Sequence, residues 1–148
     1  MGVTAMRGRR IGLVALLLLL SIALPPARSA ATPGSGVNSA QETQSSQEGR
    51  DFIVRDITVG PGGSTGWHWH DGTLVGAIKQ GTLTHYSADC SVDGVYNPGD
   101  PVIEPAGPDH VHLGRNLGTM PLILEVIYIQ PVGKPAAEDA PNPGCPFA

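Results

Sequence analysis

The chain reads GGSTGWHWH at residues 62–70 and PAGPDHVH at residues 105–112. In an extended strand, side chains two residues apart lie on the same face. His68 and His70 are two residues apart and therefore share one face of the first stretch. This spacing predicts a strand that presents a pair of imidazoles to one side.

The second stretch repeats the pattern, because His110 and His112 are also two residues apart. All five histidines of the chain lie between residues 68 and 112. If the two strands face each other inside one small barrel, three or four imidazoles meet at one point. Imidazole is a ligand of zinc, copper, iron and nickel, so the pattern predicts a divided metal site. The alternative interpretation is that these histidines are unrelated surface or core residues.

Strand and turn patterns fill the sequence around the histidines. Residues 52–59 alternate and then stop at the turn sequence GPGG. Residues 74–79 and 82–87 flank Gln80-Gly81, which predicts a hairpin, and residues 121–129 form a strongly apolar run. Because no stretch has a sustained helical period, the patterns predict an all-β sandwich or barrel.

Two longer patterns frame the histidines: Gly62-x5-His68-x-His70-x10-Gly81 and Gly99-x5-Pro105-x-Gly107-x2-His110. Together they closely resemble the two conserved motifs of the cupin superfamily. The resemblance covers about residues 51–131 and implies a double-stranded β-helix, or jelly roll. The predicted fold is therefore a single-domain, all-β cupin barrel at residues 50–131.

The resemblance also implies a set of metal ligands. In cupins the first motif supplies two histidines and a glutamate, and the second motif supplies one more histidine. Carried over by position, this implies that His68, His70 and His110 hold a divalent ion, with iron, manganese, zinc and nickel as candidates. The glutamate position, four residues after His70, is Leu74, so the usual carboxylate is missing there.

The second motif departs from the family pattern at its end. It normally closes with an asparagine four residues after its histidine. Counted from His110, that position is Gly114, and the nearest asparagine is Asn116.

Three further residues are candidates for the site. His112 shares a face with His110 and is a fourth ligand, a hydrogen-bond donor to a ligand, or a packed residue. His85, on the strand after Gly81, either replaces the missing carboxylate or is a pocket or surface histidine. Glu125, the only charge in the last apolar run, either orients a ligand histidine or faces solvent.

The N-terminal sequence predicts export. Arg7, Arg9 and Arg10 precede an apolar run at residues 11–24, and small residues follow at positions 29–31. This layout is typical of a secretory signal peptide at residues 1–31, which predicts a secreted protein with no stable membrane span after processing. An uncleaved anchor is the alternative, although the run is shorter than the ~20 residues of a membrane span. The Arg9-Arg10 pair also resembles a twin-arginine signal, so the export route stays open.

The remainder of the chain is acidic. Without residues 1–31 the chain keeps five Lys and Arg against thirteen Asp and Glu, a net charge of −8. Nucleic acid is therefore not an expected partner. Residues 32–49 are polar with almost nothing to bury, which predicts a disordered linker.

The two cysteines are Cys90, between the motifs, and Cys145, near the C-terminus. In an oxidising compartment an isolated pair favours a disulfide, which would staple the proline-rich tail at residues 132–148 to the barrel. The alternatives are two free thiols, or Cys90 as a soft metal ligand.

Four other side chains have two interpretations each. Trp67 and Trp69 point away from the histidines and predict an outer aromatic patch, which the N-terminal strand covers or a homodimer uses. Tyr86 and Arg115 either line a pocket mouth for an anion or make structural hydrogen bonds.

Three neutral imidazoles would leave a divalent ion its full charge and open positions for water, oxygen or substrate. This favours a small, anionic, chelating substrate. The resemblance to three-histidine cupins implies a metal-dependent dioxygenase. The alternatives are a non-catalytic ligand-binding or sensing module and a metal-dependent isomerase.

Overall fold

The computed structural model describes residues 1–2 and 31–148, so the predicted signal peptide lies almost entirely outside the described residues. The described part contains no helix long and apolar enough to cross a membrane. Its secondary structure consists of ten strands: β1 (Ser35–Gln47), β2 (Arg50–Ser64), β3 (His68–Trp69), β4 (Thr73–Gln80), β5 (Leu83–Ser87), β6 (Val92–Tyr96), β7 (Pro101–Glu104), β8 (His112–Arg115), β9 (Leu122–Pro131) and β10 (Glu138–Asp139).

The strands form a nearly closed antiparallel barrel, which confirms the predicted all-β jelly roll. The hydrogen-bonded order is β10-β3-β8-β2-β9-β4-β7, and β5 pairs with both β6 and β8. The central pair is β2 with β9, in continuous register from Arg50 opposite Pro131 to Val59 opposite Leu122. Along β9 every second side chain is buried, from Leu122 to Gln130, so this strand supplies one wall of the core.

A second, smaller core lies on the other side of β3, the strand that carries His68. Trp67 is fully buried there together with Tyr86 and Leu113. The tail closes over them, because Phe147 stacks on Trp67 with ring centroids 6.2 Å apart. Within the chain, Trp67 is therefore covered by the C-terminal tail rather than by the N-terminal strand.

A disulfide between Cys90 and Cys145 holds this tail in place. The tail also adds β10, which pairs Glu138 with Trp69 and Asp139 with His68. The C-terminal segment is thus part of the barrel wall beside the first histidine pair.

Residues 35–47 differ from the predicted linker, since they form β1 and pair with β2 over most of its length. Every residue of β1 is exposed, which agrees with its polar composition. Its order comes instead from backbone pairing across a tight turn, in which Glu48 and Gly49 both have positive φ. Positive φ at both central positions is the geometry of a two-residue hairpin turn.

The predicted hairpin at Gln80-Gly81 is wrong. The strand before it, β4, pairs with β7 and β9, whereas β5 pairs with β6 and β8. Gly81 has φ +75 and passes so close to Pro121 that a Cβ would lie 2.8 Å from its carbonyl oxygen. This glycine therefore carries the chain from one part of the barrel to another rather than back along the same strand.

Candidate metal centre

Strand register brings the two histidine stretches together. His68 on β3 lies directly opposite His112 on β8, and their ring centroids are 4.3 Å apart. His70 follows on the same face, 4.9 Å from His68 and 5.1 Å from His112 between centroids. Three imidazoles, two from the first stretch and one from the second, therefore converge inside the barrel.

A carboxylate that the sequence reasoning missed completes the cluster. One Glu104 oxygen, Oε2, lies 2.8 Å from His70 Nε2 and 3.2 Å from His112 Nε2. Together with His68, these residues place four potential ligand atoms within 4.8 Å of one another. The structure thus offers three nitrogens and one oxygen for a cation.

Glu104 reaches the cluster from β7, where its Cα is paired with Leu74 of β4. Leu74 is the position at which the cupin pattern would have a glutamate. The carboxylate is therefore present, displaced sideways by one strand. The burial pattern of β7 shows the inward position, with Val102 and Glu104 buried and Ile103 exposed. The sequence did not signal it, because Val102 and Ile103 are both apolar and the segment has no alternation of apolar and polar residues.

Each of the three histidines has its tautomer fixed by a backbone carbonyl. The Nδ1 atoms of His68, His70 and His112 lie 2.9, 2.7 and 2.8 Å from the carbonyl oxygens of Gly66, Ala136 and His110. A carbonyl only accepts, so each Nδ1 donates its hydrogen. The neutral form of each ring then carries a lone pair on Nε2, the atom through which His70 and His112 face Glu104, and metal-binding histidines typically have this arrangement.

This donor set fits a metal ion. With Nδ1 protonated, neutral His70 would set an Nε2 lone pair 2.8 Å from a carboxylate oxygen, and two acceptors repel unless a cation or a proton lies between them. His112 Nε2 is buried without a hydrogen bond, since its approach to Glu104 is close but poorly aligned. Three imidazole nitrogens and a carboxylate suit zinc, iron, manganese or nickel.

The charge states of His68 and Glu104 agree with a ligand role. Burial, together with the neighbouring His112 and His70, lowers the pKa of His68 to about 3, so its ring is neutral at physiological pH. Burial alone would raise the pKa of Glu104, but its contacts with His112, His70 and His85 outweigh burial and hold the pKa well below its usual value. The cluster therefore contains an ionised carboxylate beside a neutral imidazole.

His110, predicted as the third ligand, lies outside this cluster. It belongs to the turn before β8, where its backbone N–H donates to the Gly107 carbonyl at 3.1 Å. Its own carbonyl fixes the tautomer of His112. The register explains the difference, because His112 is the residue opposite His68.

Asn116 supplies the signal that favours His112. It lies four residues after His112, which is the spacing that the second cupin motif requires and that His110 lacks. Its buried side-chain amide donates to the carbonyls of Val59 at 2.9 Å and Met120 at 2.7 Å. Counting the motif back from Asn116 rather than forward from Gly107 would have selected His112.

His85 lies beside the cluster, on the far side of Glu104. Its ring stacks on His112 with centroids 4.8 Å apart, and its Nε2 faces Glu104 Oε1 at 3.5 Å. Its Nδ1 hydrogen-bonds to Asp93. Burial alone would lower the pKa of His85, but Glu104 and Asp93 outweigh burial and raise it. His85 is therefore held between two carboxylates and faces the carboxylate oxygen that points away from His70.

The other candidates lie away from the centre. Glu125 points out of the barrel, and its carboxylate lies 3.4 Å from Lys79 Nζ, so it faces solvent and orients no ligand. Tyr86 packs in the second core, and the guanidinium of Arg115 lies over the ring of Phe147 at 5.4 Å. Both side chains support the tail rather than line a pocket mouth.

Two adjoining cavities reach the cluster. The inner one, here the metal chamber, has a volume of about 40 Å³ and is lined by the four cluster residues and by apolar side chains of the barrel core. The outer one, here the antechamber, has a volume of about 190 Å³. Four residues line both: Ile57, Thr65, His68 and Tyr128. His68 is therefore the cluster residue that a molecule in the antechamber would meet.

No protein-family model and no curated protein matches the sequence. The fold is similar to that of a cupin domain from Bordetella pertussis Tohama I, with 24% identity and a TM-score of 0.54 over 64% of this chain and 94% of that chain. A cupin-2 domain from Rhodospirillum rubrum has a TM-score of 0.56 at 19% identity, over 72% of this chain and 66% of that chain.

An oxalate oxidase in complex with glycolate is also similar, with a TM-score of 0.54 at 18% identity over 64% of this chain. The match covers 51% of that enzyme, so the likeness extends over about half its length. At sequence identities this low, the similarities show that the fold is shared and nothing further.

Proposed function

We propose that this chain, which has the cupin fold, binds one divalent metal ion through His68, His70, Glu104 and His112 and acts as a metal-dependent dioxygenase on a small, anionic, chelating molecule. The observation that carries the proposal is the set of three imidazoles around one buried carboxylate, each with its Nδ1 held by a backbone carbonyl so that Nε2 is left as the ligand atom. A bound iron or manganese ion would supply the redox chemistry for oxygen insertion.

The protein's own groups would then set the conditions in the metal chamber. Glu104 contributes one negative charge, so a divalent ion would keep about one positive charge rather than the two expected from histidines alone. Asp93 anchors the His85 ring, whose Nε2 lies 3.5 Å from the second oxygen of Glu104 and so favours the orientation in which Oε2 is directed at the histidines. Leu74, Leu83 and the other apolar lining residues exclude bulk water and strengthen these electrostatic contacts.

Four protein donors would leave a six-coordinate ion room for ligands from outside the chain, whereas a tetrahedral zinc ion would be closed by the same four donors. Metal identity therefore separates an open catalytic centre from a structural one. The adjoining antechamber supports the open form, because it gives a small molecule access to His68.

Export is part of the same proposal. The basic and apolar N-terminal sequence and the Cys90–Cys145 disulfide both support a mature protein that starts near residue 30 or 32 and works in an oxidising compartment. Intact-mass measurement of the secreted protein checks this, and retention of the full chain at the membrane contradicts it.

Oxygen consumption tests the catalytic proposal. Protein loaded with iron or manganese should consume oxygen with at least one member of a panel of small hydroxy, keto and diketone acids, and Glu104→Gln should abolish the consumption. The matched control is Glu125→Gln, an outward carboxylate that should leave it unchanged. Ligand-dependent stabilisation without oxygen uptake or product would indicate a binding module, and product formation without oxygen uptake would indicate an isomerase.

A further inference from the structure

An arginine occupies an inward position of the barrel. Along β2 the inward side chains alternate as Ile53, Arg55, Ile57 and Val59, so Arg55 takes a place where its neighbours are apolar. The adjacent charge, Asp56, points outward and pairs with Lys79 at 3.1 Å. The placement of Arg55 therefore differs from that of an ordinary surface charge.

The charge of Arg55 has no anionic partner in the described part of the chain. No Asp or Glu oxygen of those residues lies within 4.0 Å of it. Its Nε is buried without a hydrogen-bond partner, and Nη2 donates only to the neutral amide oxygen of Gln41 at 3.3 Å. The guanidinium is half-buried, with its Nη2 end at the exposed Gln41 and its Nε–H buried without an acceptor. An anion beside Arg55 would give this buried donor a partner and its charge a counter-ion.

The surroundings of Arg55 direct that anion toward the metal centre. Arg55 lines the antechamber together with Tyr128 and His68, and its guanidinium carbon lies 5.9 Å from the centroid of the Tyr128 ring. Tyr128 and His68 also line the metal chamber. Asp139 borders the antechamber as well, but it is exposed, so its carboxylate can remain in water.

We infer that Arg55 binds the carboxylate of a small organic acid in the antechamber and is the residue that selects the substrate class. The planar guanidinium matches a carboxylate through paired hydrogen bonds, and the free Nε supplies one of the donors. The volume of about 190 Å³, below the usual range of about 300–1,000 Å³ for drug-sized ligands, limits the ligand to a compact acid. The inference rests on the proposed function, because the other end of such an acid would reach His68 and the metal.

Binding of glycolate and of its uncharged amide, glycolamide, tests the inference. Both are titrated by calorimetry into the full mature protein, first without metal and then with manganese in the absence of oxygen. Glycolate should bind at least about tenfold more tightly than glycolamide, since a charged hydrogen-bonded pair exceeds a neutral one by about this factor. Arg55→Gln should remove that preference, and Arg55→Lys should restore part of it.

Lys79→Gln is the matched control, because it removes a positive charge from the outer face. It should leave the preference for glycolate unchanged. An unchanged preference in Arg55→Gln, or an equal loss in Lys79→Gln, would overturn the inference. Folding of each variant is checked by its thermal transition, and Arg55→Met provides a second neutral variant should Arg55→Gln fail to fold.

The outcomes separate this inference from the proposed function. Arg55-dependent glycolate binding in protein that takes up no metal supports the carboxylate site and removes the dioxygenase proposal. Full metal binding with no discrimination between glycolate and glycolamide leaves the metal centre intact and refutes the role of Arg55.

Discussion

Moving the carboxylate from β7 to β4 tests the geometry of the cluster. Leu74 and Glu104 are paired across these strands, and both side chains are buried on the inner face. Glu104→Leu should abolish tight metal binding. The double variant Leu74→Glu with Glu104→Leu places a carboxylate at the position where the cupin pattern has it, and it should recover most of the lost affinity.

The expected loss follows from the charge that Glu104 provides. The four ligand atoms lie within 4.8 Å of one another, so the carboxylate acts on a bound cation at a few ångströms. Two unit charges about 4 Å apart interact by about 4 kcal/mol at an effective dielectric constant of about 20. The ion is divalent, so this figure is a lower bound on the interaction. Because about 1.4 kcal/mol corresponds to a factor of ten, the dissociation constant should rise at least about a thousandfold in Glu104→Leu.

The assay is a competition titration with a chelator of known affinity, using zinc for every variant. The matched control is Val75→Glu with Glu104→Leu, because Val75 is the next residue of β4 and points outward opposite Ile103. This control should show no recovery. Wild-type affinity in Glu104→Leu, or equal recovery from positions 74 and 75, would show that the carboxylate of Glu104 is not a metal ligand.

Three further predictions concern stability. The pKa of His68 is about 3 in the folded chain and about 6.5 when unfolded, so the unfolded state binds more protons between these values. Stability of the metal-free protein should fall as the pH drops from about 6.5 toward 3 and level off above 6.5, by at most a few kcal/mol because His68 is partly open to the cavities. Denaturant titrations should show a shallower dependence in His68→Gln, and identical slopes would contradict this. Replacing both Cys90 and Cys145 by Ser should lower stability by about 4 kcal/mol, as the chain-entropy model gives for a closed loop of this size, and should expose Trp67 to solvent. Unchanged thermal unfolding and Trp fluorescence would argue against the staple. Asn116→Ala should cost about 2 kcal/mol, since it removes two hydrogen bonds to backbone carbonyls, and a neutral effect in chemical unfolding would disprove the structural role of this amide.

The barrel was predictable because its strands carry a local signal. Alternation in β2 and β9 marks the inward residues directly, and the glycine and proline turns divide the strands. Strand β1 carried no such signal, because all its residues are exposed and its order depends on backbone pairing with β2. The polar composition of a segment indicates that it is exposed, but it does not indicate whether the exposed segment is disordered or forms a hairpin.

The site was predictable only in part, because its register is not a local property. The spacing of His68 and His70 identified two members of the cluster. Glu104 was missed because its position depends on which residue of β4 it opposes. His112 was ranked below His110 because the motif was counted forward from Gly107, although Asn116 marked the other register.

Metal content of the His110→Ala and His112→Ala variants decides which histidine of the second stretch binds the ion. Each protein is purified without a histidine tag, saturated with zinc, desalted and measured by elemental analysis. We expect about one equivalent of metal in the wild type and in His110→Ala, and none in His112→Ala, because His112 is the residue paired with His68. Loss of metal in His110→Ala with full retention in His112→Ala would contradict this expectation.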